Sequence, residues 1–207
     1  MFKNTKYINP NKYLIKKNFF IRDFQSLYKS IKDPWNQNKN FENEESVIIL
    51  KALISKLSNN KKKINLLDVG AGSGALKKIL KKNISYVGTD IHKKKFKNVI
   101  YDDISIYKKK FKKNFEIIVC LKTVYYIGDK IKKVLSNFKK YLKKNGILII
   151  SYNLKKKSFS NKYLTDIKLR KMLKKKFIEI FTIEINRELY ESNNKNEKTT
   201  LLIFKKK

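Results

Sequence analysis

Apolar residues recur at helical spacing over positions 19–31, at Phe20, Phe24, Leu27 and Ile31, and predict an amphipathic helix. The tetrapeptide KDPW ends it, because Pro34 disfavours helical backbone at Asp33, and the polar NQNKN that follows reads as loop. A second helix is expected over 44–57, with Leu50, Leu53, Ile54 and Leu57 on one face. Glu44 and Glu45 fall in its first turn, where the helix dipole favours negative charge.

After SNNKKK the period changes. INLLDV (64–69) reads as a buried strand, GAGSG as a turn and ALKKILKK as a helix; ISYVGTD (84–90) is the next strand. The short HKKKFKN leads to a strand at VIYDD (99–103), then to the weakly patterned ISIYKKKFKKN, and EIIVCL (116–121) is another core strand. A helix over 129–144 carries Ile131, Val134, Leu135, Phe138 and Leu142 on one face, and Asn145-Gly146 is expected to close it before the strand ILIISYN. The tail predicts a helix over about 163–176 and strands over 177–185 and 199–204. Strands alternating with helices imply an α/β fold whose mostly parallel sheet carries helices on both faces. The last two strands have no helix between them and should pair antiparallel. We expect one domain, in which residues 1–60 form a helical cap on a body of residues 61–207.

Composition changes this picture little. The 207 residues are 42% hydrophobic, enough for one substantial core. Charge is the loudest feature, with 51 Lys and Arg against 17 Asp and Glu and a net +34. Almost all of it is Lys, the arginines being Arg22, Arg170 and Arg187, while Asn and Ile are abundant and Ala, Gly and Pro scarce. That is the signature of A/T-rich codons, and the scattered KK and KKK runs read as solvated faces. Phosphate recognition favours the arginine fork, so a nucleic-acid partner is not favoured, although adhesion to RNA at low salt is expected. Membrane attachment is not expected either, since no apolar run approaches the roughly 18 residues of a span and the N-terminus lacks the apolar segment of a signal peptide. The expected location is the cytoplasm. Cys120 is the single cysteine, which excludes an internal disulfide and a thiolate zinc site; no metal is expected.

The chemistry centres on LLDVGAGSGAL (66–76). Gly70, Gly72 and Ala75 satisfy the relaxed dinucleotide fingerprint G-x-G-x-x-G/A, and the same loop could hold S-adenosylmethionine. In an open parallel sheet the ligand lies beyond the carboxyl ends of the strands, which brings the glycines, Asp68 and Asp90 to one crevice. Asp90 stands about 20 residues after the loop, where a carboxylate accepts ribose hydroxyls, and both cofactors carry that ribose. Asp68 discriminates. It would repel a pyrophosphate and attract the ammonium and sulfonium of the methyl donor, which favours methyl transfer over hydride transfer.

These segments together resemble the class I S-adenosylmethionine-dependent methyltransferases over nearly the whole chain. LLDVGAGSG is similar to that family's first motif, YVGTDI to its second-strand acidic motif, YDDI to the adenine-contact motif, EIIVCLKTVYYI to the fourth-strand motif and KKNGILIIS to the entry of the fifth strand. The resemblance implies a Rossmann-like seven-stranded sheet with a C-terminal antiparallel hairpin, and S-adenosyl-L-methionine as cofactor. By it Asp68, Gly70, Ala71 and Gly72 would hold the amino-acid part of the donor. Asp90 and Ile91 would hold the ribose, and Asp103 and the Ile104 backbone the adenine; Leu121 would offer a carbonyl to the ammonium. Asp103 also reads as a helix N-cap ahead of ISIY. The interval from Asp90 to Val99 is too short for the family's usual helix.

The acceptor is constrained mainly by exclusion. LKTVYYI lacks the N/D-P-P-Y/F segment of exocyclic-amine base methyltransferases, and Cys120, inside an apolar strand with no preceding Pro, reads as a core residue. SLYKSIKDPWNQNKNFENEES and the VYYI segment resemble the small-molecule branch around the nodulation-protein S group, whose members act on small polar acceptors such as amino sugars. Candidate catalytic or wall residues are Tyr126, Tyr125 and Trp35, with Tyr28, Tyr152 and Asn153 beside them; for the aromatics core packing is the alternative. Tyr126 stands where many relatives carry a histidine and Lys122 where many carry an acid. His92, the only histidine, reads as an adenine-edge or surface residue, so no general base can be named. The expected function is methyl transfer to oxygen or nitrogen of a sugar or amino sugar. The alternatives are an RNA methyltransferase using the Lys-rich surface and a non-catalytic donor-binding protein. The cap is expected to close over the acceptor, and its removal to spare donor binding.

Overall fold

The computed structural model describes residues 11–16, 19–20, 23–31, 33–35, 41–93, 95–153, 164–187 and 197–207. The chain opens with one turn of helix, α1 (Asn11–Leu14), and a two-residue ladder between β1 (Ile15–Lys16) and β2 (Phe19–Phe20). Two helices follow, α2 (Phe24–Ser30) and α3 (Glu45–Ser58). The body then alternates β3 (Ile64–Val69), β4 (Ile84–Asp90), β5 (Val99–Tyr101), β6 (Phe115–Leu121), α4 (Val124–Ile127), α5 (Ile131–Tyr141), β7 (Leu142–Tyr152), α6 (Asp166–Lys174), β8 (Phe177–Arg187) and β9 (Glu197–Lys206).

The large sheet has seven strands in the order β5-β4-β3-β6-β7-β9-β8. Neighbours from β5 to β7 run parallel, and β9 runs antiparallel to both β7 and β8, so the expected C-terminal hairpin is present. Strand order reverses between β3 and β6, and there the helices leave a crevice at the carboxyl ends. Side chains alternate between two cores. Leu66, Ile117, Val119 and Ile149 pack under α3 with Val47, Leu50 and Ile54. Leu67, Ile118, Cys120 and Ile150 pack under α5 and α6 with Phe138, Leu169 and Leu173. Each such side chain gains about 1.5–3 kcal/mol on full burial, and a strand buried on both faces must be apolar throughout, which is why INLLDV and EIIVCL read as continuous runs.

Several boundaries differ from the sequence expectation. The helix expected over 19–31 begins only at Phe24, because the Asp23 carboxylate accepts the Ser26 N–H (3.0 Å) and fixes the first turn there. ALKKILKK makes a short 3₁₀ turn, Ala75–Ile79, instead of an α-helix: left-handed Gly74 (φ 80°) offers no side-chain cap, and Leu80 is already extended. The helix expected to run to 144 ends at Tyr141. Residues 142–144 belong to β7, where Leu142 pairs with Phe115 and Ile147 with Ile117, so that Asn145 (φ 62°) sits in a bulge and does not close the helix. A β-carbon at Gly146 would meet Leu142 Cδ2 at 2.9 Å and Lys143 O at 3.0 Å, so a side chain there would crowd the bulge. Between Asp90 and β5 the described residues hold no helix, in keeping with the short interval. No helix among the described residues is long and apolar enough to cross a membrane.

Candidate active site

The glycine loop folds back onto β4. The N–H groups of Gly70 and Ala71 both donate to Thr89 O (2.9 and 3.1 Å), which requires left-handed backbone at Gly70 (φ 73°). Any β-carbon at Gly70 would also strike the Thr123 side chain, at 2.2 Å from its Oγ1. Asp90, at the tip of β4, anchors the loop: Oδ2 accepts the Gly72 N–H (2.8 Å) and Oδ1 the Ile91 N–H (2.7 Å). From the other side His92 Nε2 donates to Gly72 O (3.2 Å).

Beyond this loop lies a cavity of about 330 Å³. Of the residues singled out from sequence, it brings together Gly70, Asp90, Ile91, Asp103, Ile104 and Leu121 with Tyr28, Trp35, Lys122, Tyr125 and Tyr126. Asp103 accepts from Ser105 N (2.9 Å) and from Lys130 Nζ (3.1 Å). Burial raises the Asp103 carboxyl, but the Ser105 hydrogen bonds and the Lys130 ammonium outweigh it and hold the acid below its usual range. Asp103 caps a turn, closed by Ile106 N to Asp103 O (2.9 Å), and ISIY forms no helix; a 3₁₀ turn follows only at Lys109–Phe111. The Leu121 carbonyl accepts the Thr123 hydroxyl (2.7 Å).

Other residues stand elsewhere than the sequence reading placed them. Asp68 does not line the cavity: β3 turns its carboxylate beneath the loop, where Oδ2 accepts the Tyr86 hydroxyl (2.8 Å). Burial pushes the Asp68 carboxyl up to about 7, opposed by the Tyr86 hydrogen bond and assisted by the Asp90 charge. Ala71 and Gly72 lie behind the cavity with it. His92 is neither a surface nor a cavity residue; it is 1% exposed, with its ring stacked on Tyr28 at 3.9 Å. Tyr152 is buried with its hydroxyl on Asp166, so β7 contributes Ser151 to the cavity in place of Tyr152 and Asn153. Cys120 is fully buried, and burial pushes its thiol up.

The N-terminal segment supplies part of the aromatic lining. Tyr126 meets Phe24 edge-on (5.5 Å), Trp35 (5.6 Å) and Tyr125 (4.3 Å), and Trp35 Nε1 donates to the Tyr28 hydroxyl (3.1 Å). Burial pushes the Tyr126 hydroxyl up to about 12, so it stays protonated near neutral pH. Lys122 has left-handed backbone (φ 48°), and its N–H donates to Ser151 O (2.8 Å) and Oγ (3.1 Å). Its ammonium reaches Glu44 Oε2 at 2.7 Å. Glu44, Phe24, Phe41, Thr123, Ser151 and Lys130 line the cavity without having been singled out for it. Glu44 had a sequence signal, an acid at a helix start, but that signal pointed to the helix dipole.

A methyltransferase-domain family model matches residues 43–194, from the start of α3 past the end of β8. The chain belongs to the methyltransferases. The match upholds the resemblance carried by the motifs, that of a class I S-adenosylmethionine-dependent enzyme. Solved structures agree in fold. The methyltransferase is similar to the N-methyltransferase NodS from Bradyrhizobium japonicum WM9, crystallised with S-adenosyl-L-homocysteine, at TM-score 0.65 and 17% identity over 88% of this chain and 97% of that one. It is also similar to the PH0226 protein from Pyrococcus horikoshii OT3, at TM-score 0.66 and 14% identity over 89% of this chain and 100% of the other. The [4+2]-cyclase SpnF shares the fold as well, at TM-score 0.62 and 12% identity over 79% of this chain and 82% of that one, so the methyltransferase fold by itself does not name a reaction. No curated protein sequence matches the methyltransferase.

Proposed function

We propose that the chain transfers the methyl group of S-adenosyl-L-methionine to oxygen or nitrogen of a small polar acceptor, a sugar or amino sugar. The observation that carries this reading is one cavity lined both by a carboxylate-anchored glycine loop at the sheet's switch point and by the aromatic side chains of Tyr28, Trp35, Tyr125 and Tyr126. The donor supplies an activated methyl on a positively charged sulfur, and the residues present fit its parts. Asp90 Oδ1 accepts the Ile91 and His92 N–H groups and Oδ2 only the Gly72 N–H, which leaves Oδ2 a lone pair for a ribose hydroxyl. Ile91 and Ile104 offer apolar contact to a base, and the side chain of Asp103 a hydrogen-bond acceptor at its edge. The second lone pair of the Leu121 carbonyl is available to an ammonium. Asp68 acts at one remove, under the loop. Methyl transfer is an in-line displacement, so the chain's work is to align acceptor and donor and to exclude water, which the aromatic lining does.

Calorimetric titration tests the donor half of the reading. S-adenosyl-L-homocysteine should bind and NAD should not; the reverse order would return the glycine loop to hydride chemistry.

A further inference from the structure

His92 follows Asp90 by two residues, yet it does not line the cavity; its imidazole is buried between two other surfaces. On one side Nε2 meets Gly72 O at 3.2 Å, and since a carbonyl can only accept, Nε2 carries a proton. Asp90 Oδ1 stands 3.7 Å from Nε2, too far for a second hydrogen bond. On the other side the ring stacks on Tyr28 with centroids 3.9 Å apart, and Phe96 meets the imidazole edge-on at 5.4 Å and the Tyr28 ring at 6.4 Å. Nδ1 is buried with no hydrogen-bond partner among the described residues.

A buried nitrogen without a partner is a cost that an apolar side chain in the same place would not incur. Histidine joins a flat ring to an N–H at its edge, and both are used here. Phenylalanine could stack on Tyr28 but not bind Gly72; glutamine could bind Gly72 but not stack. The contacts run on from Tyr28, whose hydroxyl accepts the Trp35 Nε1–H (3.1 Å), and Trp35 lies 5.6 Å from Tyr126. All three aromatic residues line the cavity. Gln25 binds the backbone of Ile91 and Lys93, on either side of His92, and so holds α2 where the stack can form.

We propose that His92 is a positioning residue that couples the glycine loop to Tyr28 and Trp35, so that a donor bound on the loop sets the aromatic lining for the acceptor. This rests on the methyltransferase reading above. The donor binds one geometry of the loop, and whatever holds that geometry beforehand lowers the cost of ordering it. The Tyr28 stack fixes the imidazole and the imidazole fixes Gly72 O, so the stack favours the donor. Linkage is reciprocal: a donor that favours the held loop favours the stacked Tyr28, with Trp35 bonded to it, by the same factor. The acceptor meets a formed lining once the donor is in place, and binding is ordered, donor first.

Trp35 is the only tryptophan, so its fluorescence reports on the lining. Saturation of the parent with S-adenosyl-L-homocysteine should shift its emission. His92→Phe keeps a ring for Tyr28 without an N–H for Gly72, and His92→Gln does the reverse; each should lose most of that shift at saturating ligand. By calorimetry Tyr28→Leu should weaken S-adenosyl-L-homocysteine binding about fivefold in the parent, a stacked pair's worth, and less than about twofold in His92→Gln, which has no ring to stack. A full shift in either His92 variant overturns the proposal, because Trp35 would then be reading the ligand directly. So does a parent that binds without any shift, or an equal Tyr28→Leu factor in both backgrounds. Should the His92 variants not fold, as judged by circular dichroism, Tyr28→Leu carries the test alone, and undiminished affinity overturns the coupling. Failure of S-adenosyl-L-homocysteine to bind the parent would instead defeat the methyltransferase reading, and the coupling with it.

Discussion

Two parts of the cavity lining are built by different means. At the glycine loop, backbone does most of the work: the loop turns on hydrogen bonds to Thr89, and Asp90, one strand away, accepts the Gly72 N–H. At the Glu44–Lys122 pair side chains do it, and they arrive from distant places; the two are 78 residues apart. A backbone-built site follows from local sequence and strand order, whereas a side-chain-built site depends on how separate elements dock. The N-terminal segment and the loop region are also joined. The Gln25 side-chain amide donates to Ile91 O (2.9 Å) and its carbonyl accepts Lys93 N–H (3.0 Å), and Tyr28 stacks on His92, so α2 is docked directly on the segment that follows Asp90.

Asp90→Ala should break the glycine-loop part most severely. It removes the acceptor of three backbone N–H groups as well as the proposed ribose contact, and each charge-assisted hydrogen bond is worth about 1.5–3 kcal/mol. Affinity for S-adenosyl-L-homocysteine should fall by about a hundredfold or more by calorimetry, with the fold retained by circular dichroism. Unchanged affinity would remove Asp90 from the donor site.

Removal of residues 1–40 tests the junction. The docking of Gln25 and Tyr28 replaces the expectation that the donor site is independent of this segment: the truncated chain should lose donor affinity as well as turnover. Gln25→Ala isolates the polar part. Loss of two hydrogen bonds of about 1 kcal/mol each should weaken S-adenosyl-L-homocysteine binding by roughly tenfold. Intact affinity in both variants would restore two independent parts.

Asp68→Asn sharpens the difference between lining the cavity and supporting it. The native Asp68 carboxyl holds its proton more tightly than the ordinary 3.8 of an unfolded chain, with a pKa of about 7. Its contribution to stability is therefore greatest in acid, declines as pH rises from 3.8 to about 7, and is level above that. Each unit of that interval corresponds to about 1.4 kcal/mol, so the neutral amide should raise the melting temperature at pH 8 and leave it nearly unchanged at pH 4. A lower melting temperature at pH 8 would mean that the Tyr86 hydrogen bond needs the charge.

Lys130→Met should act least. Its ion pair with Asp103 is largely open to water, where such pairs contribute about 1 kcal/mol or less. Freeing the carboxylate for a base edge should change S-adenosyl-L-homocysteine affinity by no more than about fivefold, and upward if Lys130 competes for Asp103. A large loss would make Lys130 itself part of the donor site.

Periodicity located every strand of the large sheet: the central strands, buried on both faces, leave unbroken apolar runs, and the edge strands β5 and β8 kept apolar residues although they are partly exposed. It misjudged 75–82, 129–144 and 19–31, where helical spacing was present but the backbone was decided by Gly74, by the bulge at Asn145 and by the Asp23 cap. Asp90 was legible as a strand-end acid at the right distance from the glycines. His92 was not, since its place between Gly72 O and the Tyr28 ring depends on α2 lying against it.

The sequence by itself determined the layered α/β body, the glycine loop and the acid that faces it, for these follow from alternation along strands and from backbone geometry that only certain residues accept. Tertiary structure alone decided where side chains from remote elements meet. It turned Asp68 toward Tyr86 beneath the loop, docked Gln25 and Tyr28 on the segment after Asp90, and set the Glu44 carboxylate against Lys122. Such contacts are made by the angles at which packed elements cross, and no local pattern of residues encodes those angles.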